Sequence, residues 1–361
     1  MTNFRNSLIG NDTGAFDQTA LASAERFVRA SCALDDRVFW PLRIFTNAQL
    51  FLWHIDAFAG PEQPVPAICK AFDAASSFLE TAPAAGLFST QFPPAPREGM
   101  APSKVGEIFG DIYQPLSDKE YFEDAYEVLN LRLTKNDVDP RRLFAGKVVV
   151  DVGCGSGKYS AAMIKFGAAK VRGFDIAEKA LETGRHQAQK SGMSDRIEYQ
   201  IGSALDVPAS DESADVVWAN SVLHLVDDAN LALKEISRVL KPGGTAFIYV
   251  NGRFGLFELL VRALYAANKG ISRQLYQHYL ALSGMRPGRV AWVVGTTFAP
   301  YRFIPKDELE RLFKKNALTI ERQLTRGLAT DQMEQVNSGL AYGTIKYGES
   351  KLNYLVRKAS K

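Results

Sequence analysis

The spacing of apolar positions changes period along the chain. In residues 1–80, small and apolar side chains recur every three or four positions, as in "TALASAERFVRASCALDD" and "PVPAICKAFDAASSFLE", which predicts helices. "TAPAAGLFSTQFPPAPREGMAPSK" (81–104) is rich in Pro, Ala and Gly and reads as a linker. "YFEDAYEVLNLRL" (121–133) is helical again, with Phe122, Ala125, Val128 and Leu129 on one stripe. From residue 147 the pattern becomes that of strands. "KVVVDV" is a β-branched run of the kind found in parallel strands buried on both faces. "KVRGFD", "RIEYQIG", "ADVVWAN" and "TAFIYV" follow as strands, separated by the helical stretches "YSAAMIKFG", "AEKALETGRHQAQKSG" and "ANLALKEISRVL". Alternation at this spacing predicts a doubly wound α/β sheet. Two helical segments interrupt it at 251–300. "PKDELERLFKKNAL", "TIERQL" and, after a partly helical excursion, "KLNYLVRK" then add a helix and two strands.

This divides the 361 residues into three parts. Residues 1–100 form a helical extension expected to dimerise or to close over substrate; Phe39, Trp40, Phe45, Phe51, Trp53 and Phe58 would favour a buried interface. Residues 101–145 form a helical lid segment leading into the core. Residues 146–361 form the core, with 251–300 inserted as a cap after the fifth strand.

Composition narrows the setting. Cys32, Cys69 and Cys154 form no CxxC pair and no metal spacing; an odd, widely spaced set argues against a disulfide framework and for a reducing compartment. The first residues lack the apolar core of a signal peptide. The most apolar window carries Arg43, Asn47, His54 and Asp56, too polar for a bilayer span. The expectation is a soluble, cytoplasmic protein without a membrane partner. Net charge is −3 over residues 1–100, −4 over 101–250 and +10 over 251–361. The basic excess fits either a solvated surface or an anionic ligand.

The candidate chemistry begins at "KVVVDVGCGSGKYS" (147–160). Gly153, Gly155 and Gly157 follow the strand directly, and Asp175 ends the next one. Glycines there permit a tight turn and close approach of a ligand, and the carboxylate can accept both hydroxyls of a ribose. Lys158 stands where the dinucleotide pattern G-x-G-x-x-G requires glycine. Tyr159 stands where the P-loop requires Ser or Thr. Both of those nucleotide sites are therefore disfavoured.

"VVVDVGCGSGKYS" resembles motif I of the class I S-adenosylmethionine-dependent methyltransferases. "VRGFDI", "GSALDVPASDESADVVWANSVLHLVDD" and "EISRVLKPGGTAFIYV" resemble the motifs that follow it in that family. The likeness is close over about 145–250 and looser through "FIPKDELERLFKKNALTIERQL". It implies a seven-stranded Rossmann-like sheet and S-adenosylmethionine as cofactor. It places Asp151, Gly153, Cys154 and Gly155 at the cofactor loop, Asp175 on the ribose, Ile176, Ser203 and Ala204 at the adenine, and Asn220 near the sulfonium. Ser203 departs from the aspartate found in many relatives.

His224, in "SVLHLVDD", is the best placed candidate base for an acceptor that must lose a proton. Tyr113 and Tyr121 are lid candidates, and Arg262, Tyr265 and Arg302 are acceptor-facing candidates. The insertion holds 6 basic residues against 1 acidic, with aromatics interleaved, a mixture suited to a flat or anionic acceptor. The expected reaction is O- or N-methylation, ahead of C-methylation, of a small aromatic or anionic metabolite. Non-methylating use of the cofactor, with release of methylthioadenosine, and RNA methylation stay open. The absence of a recognisable RNA-binding module argues against nucleic acid. "TRGLATDQMEQV" and "YGTIKYGE" receive no physical account from the sequence.

Overall fold

A computed structural model describes residues 16–57, 63–86, 105–112, 116–329, 331–339 and 342–360. Its seven strands are β1 (Val148–Val152), β2 (Lys170–Asp175), β3 (Ile197–Ile201), β4 (Ala214–Asn220), β5 (Leu240–Asn251), β6 (Leu318–Leu324) and β7 (Lys351–Lys358). They form one sheet in the order β3-β2-β1-β4-β5-β7-β6. β1 to β5 pair in parallel, and β7 enters antiparallel between β5 and β6. All the strands expected from the sequence are present.

The continuous apolar runs arise because both faces of the sheet are covered. Val150, Val152, Val217, Ala219, Ile248 and Val250 face one core. Val149, Val216, Trp218 and Phe247 face the other. In that second core the Trp218 and Phe247 rings stack at 3.8 Å. The helix Ala125–Thr134 covers it with Leu129 and Leu133. Its buried positions are Ala125, Leu129, Arg132 and Leu133, whereas the sequence placed Phe122 and Val128 on the inner stripe. Ala125 and Leu129 keep the expected face; the preceding Lys119–Asp124 forms a π-turn in which Tyr121, not Phe122, is the buried residue.

The chain divides into two compact units. One contains the sheet: Pro102–Arg253, Tyr301–Gly339 and Glu349–Lys361. The other combines Met1–Ala101 with Phe254–Pro300 and Leu340–Gly348. This corrects the three-part division expected above, because the insertion folds with the N-terminal helices. The reason is visible at Arg43, on the helix Trp40–Ala57. Its guanidinium is almost wholly buried, pairs with Asp36, and donates to Ser31 Oγ and to the carbonyls of Ala267 (2.5 Å) and Lys269 (2.9 Å). A cation therefore closes the C-terminal end of the inserted helix Leu256–Ala267, where unpaired carbonyls carry partial negative charge.

The aromatics expected at a subunit interface are partly spent within this unit: Phe51 packs on Trp292, and Phe45 on Phe78 and Tyr279. Phe58 and most of the linker lie outside the described residues.

Arg43→Met should destabilise the protein by about 3 kcal/mol, because it orphans buried acceptors as well as removing a charge. The denaturant midpoint reports this; an unchanged midpoint would show that the guanidinium only fills space.

Candidate functional site

The turn after β1 is built from three left-handed glycines, with φ of +65° at Gly153, +55° at Gly155 and +78° at Gly157. At two of them space is also exhausted: an added Cβ would lie 2.4 Å from Val222 Cγ2 at Gly153 and 1.9 Å from the Tyr199 hydroxyl at Gly157. Only glycine meets both demands. Two N–H groups of the turn, from Gly153 and Cys154, are held by the Phe174 carbonyl. A third, from Gly155, donates to Asp175 Oδ2 at 2.8 Å, while Ala177 N–H donates to Oδ1 at 2.9 Å. The carboxylate at the end of β2 is thus aimed by the glycine turn itself. Burial raises its pKa against these hydrogen bonds.

Asp151 lies fully buried at the end of β1 and accepts from Ser160 Oγ at 2.6 Å. Burial pushes its pKa up to about 7. Cys154 is also buried and its thiol is pushed well up, so it packs rather than reacts. Ile176 stands half exposed beside Asp175, at the same edge of the sheet. Ser203 and Ala204 follow β3, and the Ser203 hydroxyl accepts from Leu205 N–H, which closes the loop on itself. Arg238 fixes the remainder of that loop. Its donors reach both Glu235 oxygens, Asp211 and the carbonyls of Val207 and Ala209, all within 2.7–2.9 Å.

At the end of β4, Asn220 Oδ1 accepts from Arg132 Nη1 at 3.1 Å. The next residue, Ser221, has φ of +72° and bonds His224 Nε2 through its hydroxyl at 3.2 Å. His224 is wholly buried, stacks on Tyr301 at 4.5 Å, and has its pKa lowered by burial to about 3. That corrects its expected role as a base. The ring is a neutral packing group that fixes the turn after β4, and it is too weakly basic to take a proton near neutrality.

Tyr121, a lid candidate, stands against the glycine turn. It is buried, and its hydroxyl donates to the Ser156 carbonyl at 2.6 Å, so it braces the glycine turn. Arg302 binds the carbonyl of Asp227, and its own N–H binds the carbonyl of His224, both from the loop after β4. In the other unit, Arg262 pairs with Glu258 on its own helix and Tyr265 is partly buried. Tyr113 lies outside the described residues.

Arg132 and Arg238 were missed from the sequence. The signal for Arg132 was a charged residue at the i+7 position of a buried stripe; Arg238 gave none.

Residues 150–248 match the family described as "Methyltransferase domain". Over 204 residues the chain is 30% identical to the 27-O-demethylrifamycin SV methyltransferase of Amycolatopsis mediterranei, covering 52% of this chain and 75% of that protein. It is 37% identical over 152 residues to a ubiquinone biosynthesis O-methyltransferase of Thiobacillus denitrificans, covering 42% of this chain and 62% of that protein. A solved S-adenosylmethionine dependent methyltransferase from Mesorhizobium loti aligns with 60% of this chain and 93% of its own, at 18% identity and a TM-score of 0.40. The chain belongs to the class I S-adenosylmethionine-dependent methyltransferases and is a methyltransferase enzyme. Among the described residues, no helix is long and apolar enough to cross a membrane.

Because the folded pKa of Asp151 stands above the ordinary 3.8, its contribution to stability is complete below 3.8 and is lost as pH rises through about 7. Cofactor-free protein should therefore lose stability across that window, by at most about 1.4 kcal/mol per pH unit. Asp151→Asn should flatten the slope, as read by denaturation at several pH values. An unchanged slope would place the titration elsewhere.

Proposed function

We propose that this enzyme transfers the methyl group of S-adenosylmethionine to an oxygen or nitrogen of a small acceptor, with an acidic or aromatic acceptor preferred. The observation that carries this reading is the coupling of the glycine turn to Asp175, which leaves a backbone cradle and an aligned carboxylate side by side. That donor set fits a nucleoside with a free ribose. The cofactor, when bound, supplies an electrophilic methyl group and a neutral leaving thioether, so the protein's task is alignment.

In this reading the residues take the following roles. Asp175 accepts the ribose hydroxyls. Gly153 and Gly155 allow the backbone to approach the methionine portion above the buried Asp151. Ile176, Ser203 and Ala204 border the adenine, on a loop whose conformation Arg238 enforces. Asn220, held by Arg132, stands at the end of β4 facing the reacting end. His224 shapes that edge without exchanging a proton. The relatives named for O-methylation support oxygen as the accepting atom.

Calorimetry should detect S-adenosylhomocysteine binding that Asp175→Ala reduces by about a hundredfold, since a bidentate ionic acceptor is lost. With methyl-labelled cofactor and a small-metabolite extract, label should enter the low-molecular-mass fraction as S-adenosylhomocysteine accumulates. Label in RNA, or methylthioadenosine as the nucleoside product, would overturn the reading.

A further inference from the structure

The segment "TRGLATDQMEQV" is anchored with unusual thoroughness for a surface excursion. Asn136 Oδ1 accepts from Thr325 and Arg326 N–H, and Asn136 Nδ2 donates to the Arg326 carbonyl. Glu334 accepts from Gly327 N–H at 2.7 Å and from Arg326 Nε at 2.9 Å. This scaffold delivers Asp331 to Lys351, the first residue of β7, at 3.2 Å. Asp331 is itself buried, and its carboxyl is held below the usual range mainly by Lys351 and Arg132 acting against desolvation.

Lys351 and Arg132 both lie within 5.9 Å of the centre of the Tyr249 ring. Tyr249 stands near the carboxyl end of β5 and bonds Asn251 at 3.1 Å. The His224 ring, at 5.8 Å, is neutral and balances nothing. Among the described residues, Asp331 is thus the carboxylate that both cations act on. Arg132, 5% exposed, has only the neutral Asn220 as side-chain acceptor, and its Nε has no partner among the described residues. A buried cation that has only a share of one counter-charge is costly unless a ligand supplies more. The cluster also sits at the carboxyl edge of β4 and β5, where open α/β sheets hold ligands, and on the far side of β4 from the nucleoside cradle at β1 and β2.

We propose that Tyr249, Arg132 and Lys351 form a subsite for a carboxylate carried by the acceptor, with Asp331 a positioning residue that holds Lys351 and tempers its charge. The proposal rests on the methyl-transfer reading above and deepens it. Arg132 and Lys351 donate to the carboxylate beside the Tyr249 ring, which both approach.

The full chain is titrated with benzoate and with benzamide, its neutral isostere, in the presence and absence of S-adenosylhomocysteine, by thermal shift and calorimetry. Benzoate should bind and benzamide should not. Lys351→Met should weaken benzoate about tenfold, as loss of one charge-assisted hydrogen bond implies. Asp331→Asn should strengthen it, a sign that a merely structural pair would not give. S-adenosylhomocysteine affinity should stay within about twofold in both variants, which also reports that they fold. The proposal is overturned if benzoate and benzamide are indistinguishable, if Asp331→Asn weakens benzoate as Lys351→Met does, or if the variants alter only S-adenosylhomocysteine affinity. The last result would assign the cations to the cofactor's own carboxylate. Charge discrimination is read with or without S-adenosylhomocysteine, so a failure of the wild-type chain to bind it counts against the cofactor reading alone.

Discussion

The hydrogen bond from Gly155 N–H to Asp175 Oδ2 joins the two features on which the site depends. The turn after β1 must reverse within a few residues, in left-handed backbone, under the side chains of Val222 and Tyr199. Once it does, its N–H groups have two acceptors at hand, the Phe174 carbonyl and the Asp175 carboxylate, both supplied by β2. Parallel pairing of β1 with β2 brings these ends together, and Tyr121 and Tyr199 close the turn from behind by bonding the carbonyls of Ser156 and Gly157. Much of the surrounding polar chemistry exists to hold one short stretch of backbone still.

The opposite end of the site follows another logic. Around the turn, buried acids outnumber cations, and Asp151 and Asp175 are both pushed towards the neutral form by burial. Past β4 the balance reverses, with Arg132 and Lys351 against Asp331. His224, between the two regions, contributes shape and no charge.

The helical unit shows how a charged residue can define a fold boundary. Arg43 is fully desolvated, yet its donors meet a carboxylate, a hydroxyl and two carbonyls at the end of another helix. Hydrophobic periodicity identifies both helices and says nothing of their pairing, which polar contacts such as Arg43 and the Asn47–Asn268 bond help to define beside the aromatic packing. The insertion could thus be assigned to the sheet from sequence and yet fold with the N-terminus.

Local physics made certain features legible without coordinates. Strand runs follow from burial on two faces, glycine positions from a turn that no other residue tolerates, and Asp175 from its place at the end of a strand. Each depends on residues within a few positions of one another. The full inner face of the Ala125–Thr134 helix did not belong to that class: Ala125 and Leu129 are buried as the stripe implies, but Arg132 is buried with them and Val128 is not. Nor did the role of His224, since a histidine after a strand is a base or a packing group according to what covers it. Asp331, Lys351 and Tyr249 lie far apart in the chain and meet only because β7 inserts antiparallel beside β5. Sequence determined the cradle; the tertiary structure alone decided which charges stand opposite it, because electrostatic balance is set by distances that span the whole fold.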